Sequence, residues 1–348
     1  MSLLEANNLS IGYPANGGRK IIAEGIGFRL EGGEFICLLG PNGAGKSTLL
    51  RTLAAIQPPL AGSIAICGED SRTLTPGKKA RSLGLVLTER LEMGNLTVRE
   101  LVALGRAPYT GWLGRLSEDD EGKVSRALNA AGSAPLAGRK VAELSDGERQ
   151  KAMIARVLAQ ETPVIILDEP TAHLDLPNRV GIMRLLKNLA RETRKVILLS
   201  THELDLALQA ADQIWLMEPE GEMKIGAPED LVLDGTFAAC FGKSGFIFDI
   251  STGAFRFKEP EGDAVELIGS GPSAFWTRRA LERNGFQVGK SFDANRRVRI
   301  VEKTSGSRQW QCEANGIPSQ HGSVESLIRA LQPDNAWYRE MNAEKARG

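Results

Sequence analysis

The sequence predicts an α/β fold in which a parallel sheet is built around a phosphate-binding loop, with a second, smaller α+β domain after it. Residues 40–47 read Gly-Pro-Asn-Gly-Ala-Gly-Lys-Ser and lie between the apolar run 34–39 and a helical stretch at 48–56. A second apolar run, Val164 to Leu167, ends in two carboxylates. With 348 residues, the chain is longer than one such domain needs. These three observations define the predicted architecture.

The glycine-rich loop is the first segment with a predicted chemical role, the binding of phosphate. A strand, this loop and a helix in succession form a cradle whose backbone N–H groups bind a polyphosphate. Lys46 is expected between the β and γ phosphates as a point charge, and the Ser47 hydroxyl is expected to hold Mg²⁺. The predicted nucleotide contacts in this segment are Gly40, Pro41, Asn42, Gly43, Ala44, Gly45, Lys46, Ser47 and Thr48.

Two later strands are predicted to bring acid–base groups to the same edge of the sheet. Asp168 and Glu169 follow the first of them, and His202 follows the apolar run 195–200. Open α/β sheets place their ligands at the carboxyl ends of the strands. Asp168 is expected to hold Mg²⁺ through water, Glu169 to activate the attacking water as general base, and His202 to contact the γ-phosphate. The sequence therefore predicts hydrolysis of ATP with Mg²⁺ as cofactor.

A third motif narrows the class of phosphate-loop proteins to which the chain can belong. Residues 144–150 read Leu-Ser-Asp-Gly-Glu-Arg-Gln and resemble the Leu-Ser-Gly-Gly-Gln signature of the ATP-binding cassette (ABC) family. In that family two nucleotide domains pair head to tail, and the signature of one closes on the ATP held by the other. The resemblance assigns this role to Leu144, Ser145, Asp146, Gly147 and Glu148. Asp146 stands where the family has Gly, and Glu148 where it has Gln.

The same segment also has a purely local interpretation. Ser145 with Glu148 three residues later is a capping box that opens a helix. The two interpretations are compatible, because a capped helix N-terminus also attracts anions.

Other positions match the ABC family over residues 1–242. Tyr13 matches the aromatic that stacks on adenine, the alternative being that it packs on its own sheet, and Asp175 matches the loop that communicates between the two ATP sites. The glutamine that the family places after one strand is absent here, where Thr88 and Glu89 follow Leu87. Either Glu89 takes over the contact with Mg²⁺ and water, or that contact is lost.

Residues 95–109 look like the helical subdomain, about residues 90–160, of ATPases that serve iron-siderophore, haem and cobalamin importers. Thr97 and Glu100 form a predicted capping box there. The loop 107–113 is the candidate docking surface for a membrane subunit, the alternative being that it folds back on its own domain.

Composition excludes several classes of function. Lys plus Arg and Asp plus Glu both number 43, so no global field favours nucleic acid. No run approaches 18 apolar residues, and the first residues lack the pattern of an export signal. The four cysteines show no metal-ligand spacing and are expected to be reduced. With the resemblance, this predicts a peripheral protein on the cytoplasmic face of the inner cell membrane.

The remainder of the chain predicts a domain of its own. We expect the nucleotide domain to occupy residues 1–242 and an accessory domain residues 245–348. The order of elements suggests a split β-α-β module. Its predicted elements are a hairpin at 246–249 and 254–257, strands at 265–268, 286–288, 297–302 and 309–313, and helices at 273–284 and after Ser323. The Gly269 to Pro272 segment is expected to be a tight turn, or otherwise a small-ligand site.

The resemblance implies the ATP-hydrolysing subunit of an ABC importer for iron-siderophore, haem or cobalamin. Such a subunit works as a homodimer beneath two integral-membrane permease subunits, served indirectly by a periplasmic or lipoprotein solute-binding protein. The alternative is a soluble ABC ATPase of repair, translation or cluster assembly, disfavoured by the single cassette without a heptad run. A degenerate, regulatory nucleotide binder is disfavoured by the intact Lys46, Asp168, Glu169 and His202. The accessory domain is expected to brace the dimer or bind a small effector.

Overall fold

The structure, a computed structural model, divides the chain into two compact units, Met1–Arg256 and Phe257–Gly348. The residues that it describes are 2–15, 18–87, 95–111, 114–218, 221–242, 246–257, 262–289, 296–302, 308–314 and 316–332. Among these residues, the structure has no helix with both the length and the apolar composition that a bilayer span requires.

The first unit combines two main sheets with helices on both sides of the larger one. Its strands are β1 (Ser2–Ala15), β2 (Gly18–Glu31), β3 (Phe35–Leu39), β4 (Ala61–Ile66), β5 (Glu69–Asp70), β6 (Leu83–Val86), β7 (Val164–Leu167), β8 (Val196–Ser200), β9 (Gln213–Met217), β10 (Met223–Gly226), β11 (Phe246–Asp249) and β12 (Ala254–Phe257). Its helices are α1 (Lys46–Leu53), α2 (Pro76–Ser82), α3 (Val98–Ala103), α4 (Glu118–Ala130), α5 (Asp146–Ala159), α6 (Leu176–Thr193), α7 (Leu204–Ala210), α8 (Pro228–Leu233) and α9 (Thr236–Phe241).

The larger sheet positions the predicted site. Its strand order is β10-β9-β3-β8-β7-β6, and every neighbouring pair is parallel except β10 with β9. All residues of β3, β7 and β8 are buried, which explains why these strands are continuous apolar runs in the sequence. Because β3, β8 and β7 are adjacent and parallel, the loops that follow them meet at one edge. The predicted α/β fold is confirmed.

The smaller sheet is antiparallel, in the order β2-β1-β4-β5. Its apolar face shares a core with α1 and with one face of the larger sheet. The fully buried Trp215 of β9 lies in this core, with its ring 4.3 Å from that of Phe28. The opposite face of the larger sheet packs against the helical part of the unit.

A buried ion pair ties the helical part together. Arg106 is 1% exposed; its Nε donates to Asp120 Oδ1 at 2.8 Å, and its Nη1 donates to the Ala159 carbonyl at 2.7 Å. Asp120 also closes a capping box at the start of α4, where Ser117 donates to it through both N and Oγ. The hydrogen bonds from Ser117, and then that from Arg106, lower the pKa of Asp120 to about 2.

Asp120→Asn should therefore have a pH-dependent effect on stability. A carboxyl whose folded pKa lies below its usual 3.8 stabilises the fold above about pH 4, and that contribution is lost as the pH falls towards 2. The difference in Tm between parent and variant should thus be largest near neutral pH and should close towards pH 2. Asp119→Asn, which removes an exposed neighbour, is the matched control. A gap that is constant from pH 2 to 7 would contradict this account.

The hairpin of β11 and β12, up to Arg256, belongs to the first unit by its contacts. The Phe248 ring lies 5.1 Å from that of Phe237 and 5.0 Å from that of Phe255, and Phe248 is 6% exposed. The sequence places the joint at 242–245 and so assigns this hairpin to the accessory domain. The contacts divide the chain after Arg256 instead, because Phe248 lies in the core of the nucleotide unit.

Two truncated chains should separate these boundaries. A chain that ends at Gly242 loses Phe248 and Phe255 and uncovers Phe237, at a cost of about 2 kcal/mol per buried aromatic. It should melt several degrees below a chain that ends at Arg256. Phe248→Ala in the chain ending at Arg256 should reproduce most of the loss. Equal melting temperatures of the two truncated chains in thermal denaturation would restore the boundary at 242–245.

The second unit is one five-stranded sheet with two helices on one of its faces. Its elements are β13 (Ala264–Ile268), α10 (Gly271–Arg283), β14 (Gln287–Gly289), β15 (Arg296–Glu302), β16 (Arg308–Ala314), β17 (Ile317–His321) and α11 (Val324–Leu331). The strand order is β14-β13-β15-β16-β17. Leu281 of α10 and Leu327 of α11 share a buried core with Trp310 of β16. Gly269 and Ser270 alone connect β13 to α10, and Gly271 at the start of α10 has a φ of 71°.

In one respect this topology differs from the split β-α-β order that the sequence suggests. β13 and β14 pair directly in parallel with α10 connecting them, and β15 pairs in parallel with the other edge of β13. No described strand stands between β13 and β14. The strand β17 was not predicted, because Pro318 interrupts its pattern, and β17 accordingly lies at the edge of the sheet.

Candidate nucleotide site

The phosphate loop joins β3 to α1 and has a backbone that requires glycine. Gly45, with φ 105°, precedes α1, and a Cβ added there would lie 2.2 Å from Ile22 Cγ2. A Cβ at Gly40 would lie 2.3 Å from the Met217 carbonyl oxygen. Side chains at these two positions would displace the loop from the sheet. The loop is therefore held closely against β2 and β9.

Lys46 is buried within this loop. Its Nζ donates to the carbonyl oxygens of Gly40 at 2.7 Å and Pro41 at 3.2 Å, and the residue is 7% exposed. Desolvation lowers the pKa of Lys46, and the charges of Glu169 and Asp168 act in the opposite direction. The ammonium group is thus held in the concavity of the loop near both predicted acids. A polyphosphate would replace the carbonyls as its partner.

The ends of β7 and β8 are joined by Ser200. Its Oγ donates to Asp168 Oδ1 at 2.6 Å and accepts from the Glu169 backbone N at 2.9 Å. Asp168 is buried, and Glu169 has a left-handed φ of 49° that is uncommon for a residue other than glycine. Ser200 was not predicted as a site residue; the only signal was a hydroxyl at the end of an apolar strand. Its hydrogen bonds hold the Asp168 carboxylate and the Glu169 backbone in place.

Glu169 and His202 lie in direct contact. His202 Nε2 is 2.7 Å from Glu169 Oε1, and the two side chains are 46% and 30% exposed. The structure therefore brings together the two residues predicted as general base and γ-phosphate contact, at an accessible position. An ionised carboxylate oriented by an imidazole is suited to accept a proton from water.

The donor set suits Mg²⁺. Among the described residues, no group of three His, Cys, Asp or Glu side chains could hold a metal ion alone. Mg²⁺ commonly binds one or two protein oxygens and completes its shell with water and substrate phosphates. The exposed Ser47 at the start of α1 and the Asp168 carboxylate fit that requirement. Thr88 and Glu89, the predicted replacements for the family's glutamine, lie outside the described residues.

Tyr13 is anchored beside the loop. Its hydroxyl is hydrogen bonded to Thr48 Oγ1 in α1, while the residue remains 40% exposed. The hydroxyl contact fixes the end of β1 against the helix that follows the phosphate loop. The exposed part of the ring remains accessible to a base.

The signature segment forms the capping box expected from its residues. Ser145 Oγ accepts from the Glu148 N, and Glu148 Oε2 accepts from the Ser145 N at 2.9 Å. The hydrogen bonds that Ser145 donates to the Glu148 carboxylate, from its backbone N and then from its Oγ, are the main reason that the pKa of Glu148 is lowered. Asp146, in the first turn of α5, pairs with Arg149 at 3.3 Å and has a half-exposed side chain.

The start of α5 also approaches the start of α6. A Cβ added to Gly147 would lie 2.9 Å from Asn178 Cγ. Asn178 in turn donates its backbone N to Asp175, which caps α6, at 3.1 Å. The signature and the predicted communication residue therefore share one neighbour, Asn178. No sequence motif indicated it.

The described part of the predicted docking loop folds back on its own domain. The Tyr109 ring lies 4.0 Å beneath the Arg106 guanidinium, and its hydroxyl donates to the Gln160 carbonyl at 3.0 Å. Trp112 and Leu113, the rest of the predicted surface, lie outside the described residues.

A glycine-rich loop with a buried lysine, and two carboxylates at the end of β7 on the same sheet edge, define a phosphate-loop nucleoside triphosphatase. The ABC transporter family profile matches residues 23–172, and the profile of the iron ABC transporter C-terminal domain matches residues 262–332. The chain belongs to the ABC transporter ATP-binding proteins, as the sequence resemblance predicted, and it is an ATPase of that family.

Similar proteins and solved structures support the assignment to this family. An uncharacterized ABC transporter ATP-binding protein of Methanocaldococcus jannaschii is 41% identical over 230 residues, 66% of this chain and 78% of the relative. The ferric enterobactin transport ATP-binding protein FepC of Escherichia coli is 35% identical over 246 residues, 71% of this chain and 89% of the relative. The cobalamin import ATP-binding protein BtuD of Halobacterium salinarum is 32% identical over 275 residues, 77% of this chain and 69% of the relative.

Among solved structures, a metal-chelate type ABC transporter in an inward-facing conformation matches with a TM-score of 0.61 at 28% identity, over 70% of this chain and 90% of that one. A dimeric ATP-binding cassette bound to ADP and Pi matches with a TM-score of 0.56 at 26% identity, over 65% of this chain and 98% of that one.

Proposed function

We propose that the protein is the ATP-hydrolysing subunit of an ABC importer for a metal chelate: an iron-siderophore, haem or cobalamin. It works as a head-to-tail homodimer on two integral-membrane permease subunits at the cytoplasmic face of the cell membrane. A periplasmic or lipoprotein solute-binding protein delivers the cargo. The observation that carries the ATPase assignment is the convergence of Lys46, Asp168, Glu169 and His202 at one sheet edge.

The contacts support a separate task for each residue. The loop amides and Lys46 bind the β and γ phosphates, and Ser47 with Asp168 would hold Mg²⁺, which neutralises phosphate charge when bound. Glu169 Oε1 accepts the proton of the attacking water, while His202 Nε2 orients that carboxylate from 2.7 Å. Ser200 keeps Asp168 aligned through its 2.6 Å hydrogen bond.

The second copy completes the site. The start of α5 presents Ser145 and Gly147 to the triphosphate held by the partner, where a helix N-terminus favours negative charge. Asp146 in the first turn opposes that preference, and Arg149 offsets it only in part because their pair is half-exposed. This is the electrostatic cost of the altered signature.

Asp146→Gly should tighten ATP-driven dimerisation by about two- to fivefold at low salt, and by less at high salt, because screening weakens exposed charge pairs. Sedimentation velocity in the Glu169→Gln background measures the change. Asp119→Asn removes one exposed carboxylate from α4 and serves as the control. Equal dimer affinity of Asp146→Gly and parent at low ionic strength would show that Asp146 does not face the nucleotide.

A groove next to the helical part suits a permease helix. Its volume is about 380 Å³, and Leu104 on its wall is 53% exposed. The lining also includes Lys79, Leu83, Leu85, Arg156 and Gln160. Apolar side chains together with the basic Lys79 and Arg156 fit an amphipathic segment.

The cargo assignment rests on the curated relatives, which act in achromobactin, ferric enterobactin and cobalamin transport, and on the C-terminal profile named for iron transporters. The test is uptake of a labelled ferric siderophore, haem and cobalamin by cells that lack this chain, complemented with the parent or with Lys46→Ala. Parent-dependent uptake of one cargo, and co-purification of a polytopic membrane protein, are expected. If uptake of all three cargoes is unchanged and no membrane protein co-purifies, the result would favour the alternative of a soluble ABC ATPase.

A further inference from the structure

The second unit leaves one face of its sheet uncovered. Its two helices pack on one side, where Val298, Trp310 and Cys312 are buried. On the opposite side, Arg297, Arg299, Gln311, Glu313, Pro318 and Gln320 are exposed. These residues form a shallow concavity of about 490 Å³, which we call the open sheet face. We infer that the open sheet face pairs with the same face of a second copy and braces the ATPase dimer, an inference that rests on the proposed function.

The charged side chains of the open sheet face favour pairing with a second copy. On this face Arg297 is neutralised within the copy by Glu266, with 2.5 Å between Nε and Oε2. Within the described residues, Arg299 and Glu313 make no ion pair. Arg299 lies opposite Gln311 in the pairing of β15 with β16, and Glu313 lies opposite Arg297, whose guanidinium is already bonded to Glu266. A two-fold axis that lies in the interface midway between Arg299 and Glu313 would place Arg299 of each copy against Glu313 of the other, forming two equivalent pairs.

Other surfaces of the unit fit a second copy less well. The edge strand β17 contains Pro318, which cannot donate to a further strand, and the other edge, β14, has only three residues. The outer face of α10 exposes Phe275 and Trp276 with Arg279 beside both rings. Self-pairing there would bring like charges together, because Arg283 is exposed one turn later.

The size of the face sets the strength of the pairing. At ordinary strand spacing and rise, five short strands present roughly 500 Å² per copy, less than the ~800 Å² per partner of a stable complex. The pairing is therefore weak alone. It acts when dimerisation of the nucleotide units raises the effective concentration of the two faces.

The test is a charge exchange in the full chain, in the Glu169→Gln background with ATP, measured by sedimentation velocity. Arg299→Glu or Glu313→Arg alone should weaken the dimer about tenfold at low salt. The double variant should return to within about threefold of the parent. An equimolar mixture of the two single variants should form heterodimers with near-parent affinity, because both cross-pairs are then attractive. Arg283→Glu, on the helix side, should change nothing.

A second measurement does not depend on charge. Gln311→Cys should form an intermolecular disulfide under mild oxidation in the presence of ATP, whereas Glu325→Cys on the helix side should not. Single variants with parent affinity, or a double variant as weak as its two changes combined, would overturn the pairing and leave the face to a small ligand. Failure of the parent itself to dimerise with ATP would overturn the proposed function as well.

Discussion

Glu169→Gln should bind ATP with near-parent affinity and hydrolyse it about 10²- to 10⁴-fold more slowly, the usual contribution of a general base. The amide keeps the size and position of the carboxylate, which lies 2.7 Å from His202, but it cannot accept the proton of water. Phosphate contacts through the loop and Lys46 persist, so the variant should accumulate as an ATP-bound dimer. Phosphate release and size-exclusion chromatography with ATP measure the two effects.

Asp205→Asn is the matched control, because it removes an exposed carboxylate from α7, just beyond the strand end. It should keep parent turnover. Parent turnover in purified Glu169→Gln would remove Glu169 from the role of base.

Lys46→Ala should act at an earlier step and weaken ATP binding by about 10- to 100-fold. A hydrogen bond to a charged group contributes about 1.5–3 kcal/mol, and this ammonium is the buried cation of the loop. Fluorescent-nucleotide titration gives the Kd. Lys78→Ala, which removes an exposed lysine paired with Glu69, should bind like the parent. Equal Kd values for Lys46→Ala and parent would mean that Lys46 does not contact the phosphates.

The sequence predicted the parts of the fold that local pattern determines. The buried strand at 164–167 appears with the same bounds, and both capping boxes, at Thr97 and Ser145, are present. Continuous apolar runs and reciprocal caps are local properties, so one stretch of sequence specifies them.

Tertiary contacts could not be predicted as well from the sequence. Nothing local to Phe248 shows that it packs against Phe237, so the sequence assigned the hairpin to the accessory domain, whereas its contacts group it with the first unit. Ser200 was missed for a similar reason: its role depends on β7 and β8 being neighbours. The family resemblance supplied the roles of Tyr13, Asp175 and the signature, which concern a bound nucleotide and a second copy.

The most direct measurement is steady-state phosphate release by the full chain with MgATP, as a function of protein concentration. If the start of α5 of one copy completes the site of the other, specific activity should rise with protein concentration and then reach a plateau once dimers predominate. Glu169→Gln should stay about 10²- to 10⁴-fold below the parent throughout. A specific activity that stays constant from nanomolar to high micromolar protein, or the absence of release at every concentration, would contradict an ATPase that works as a head-to-tail pair.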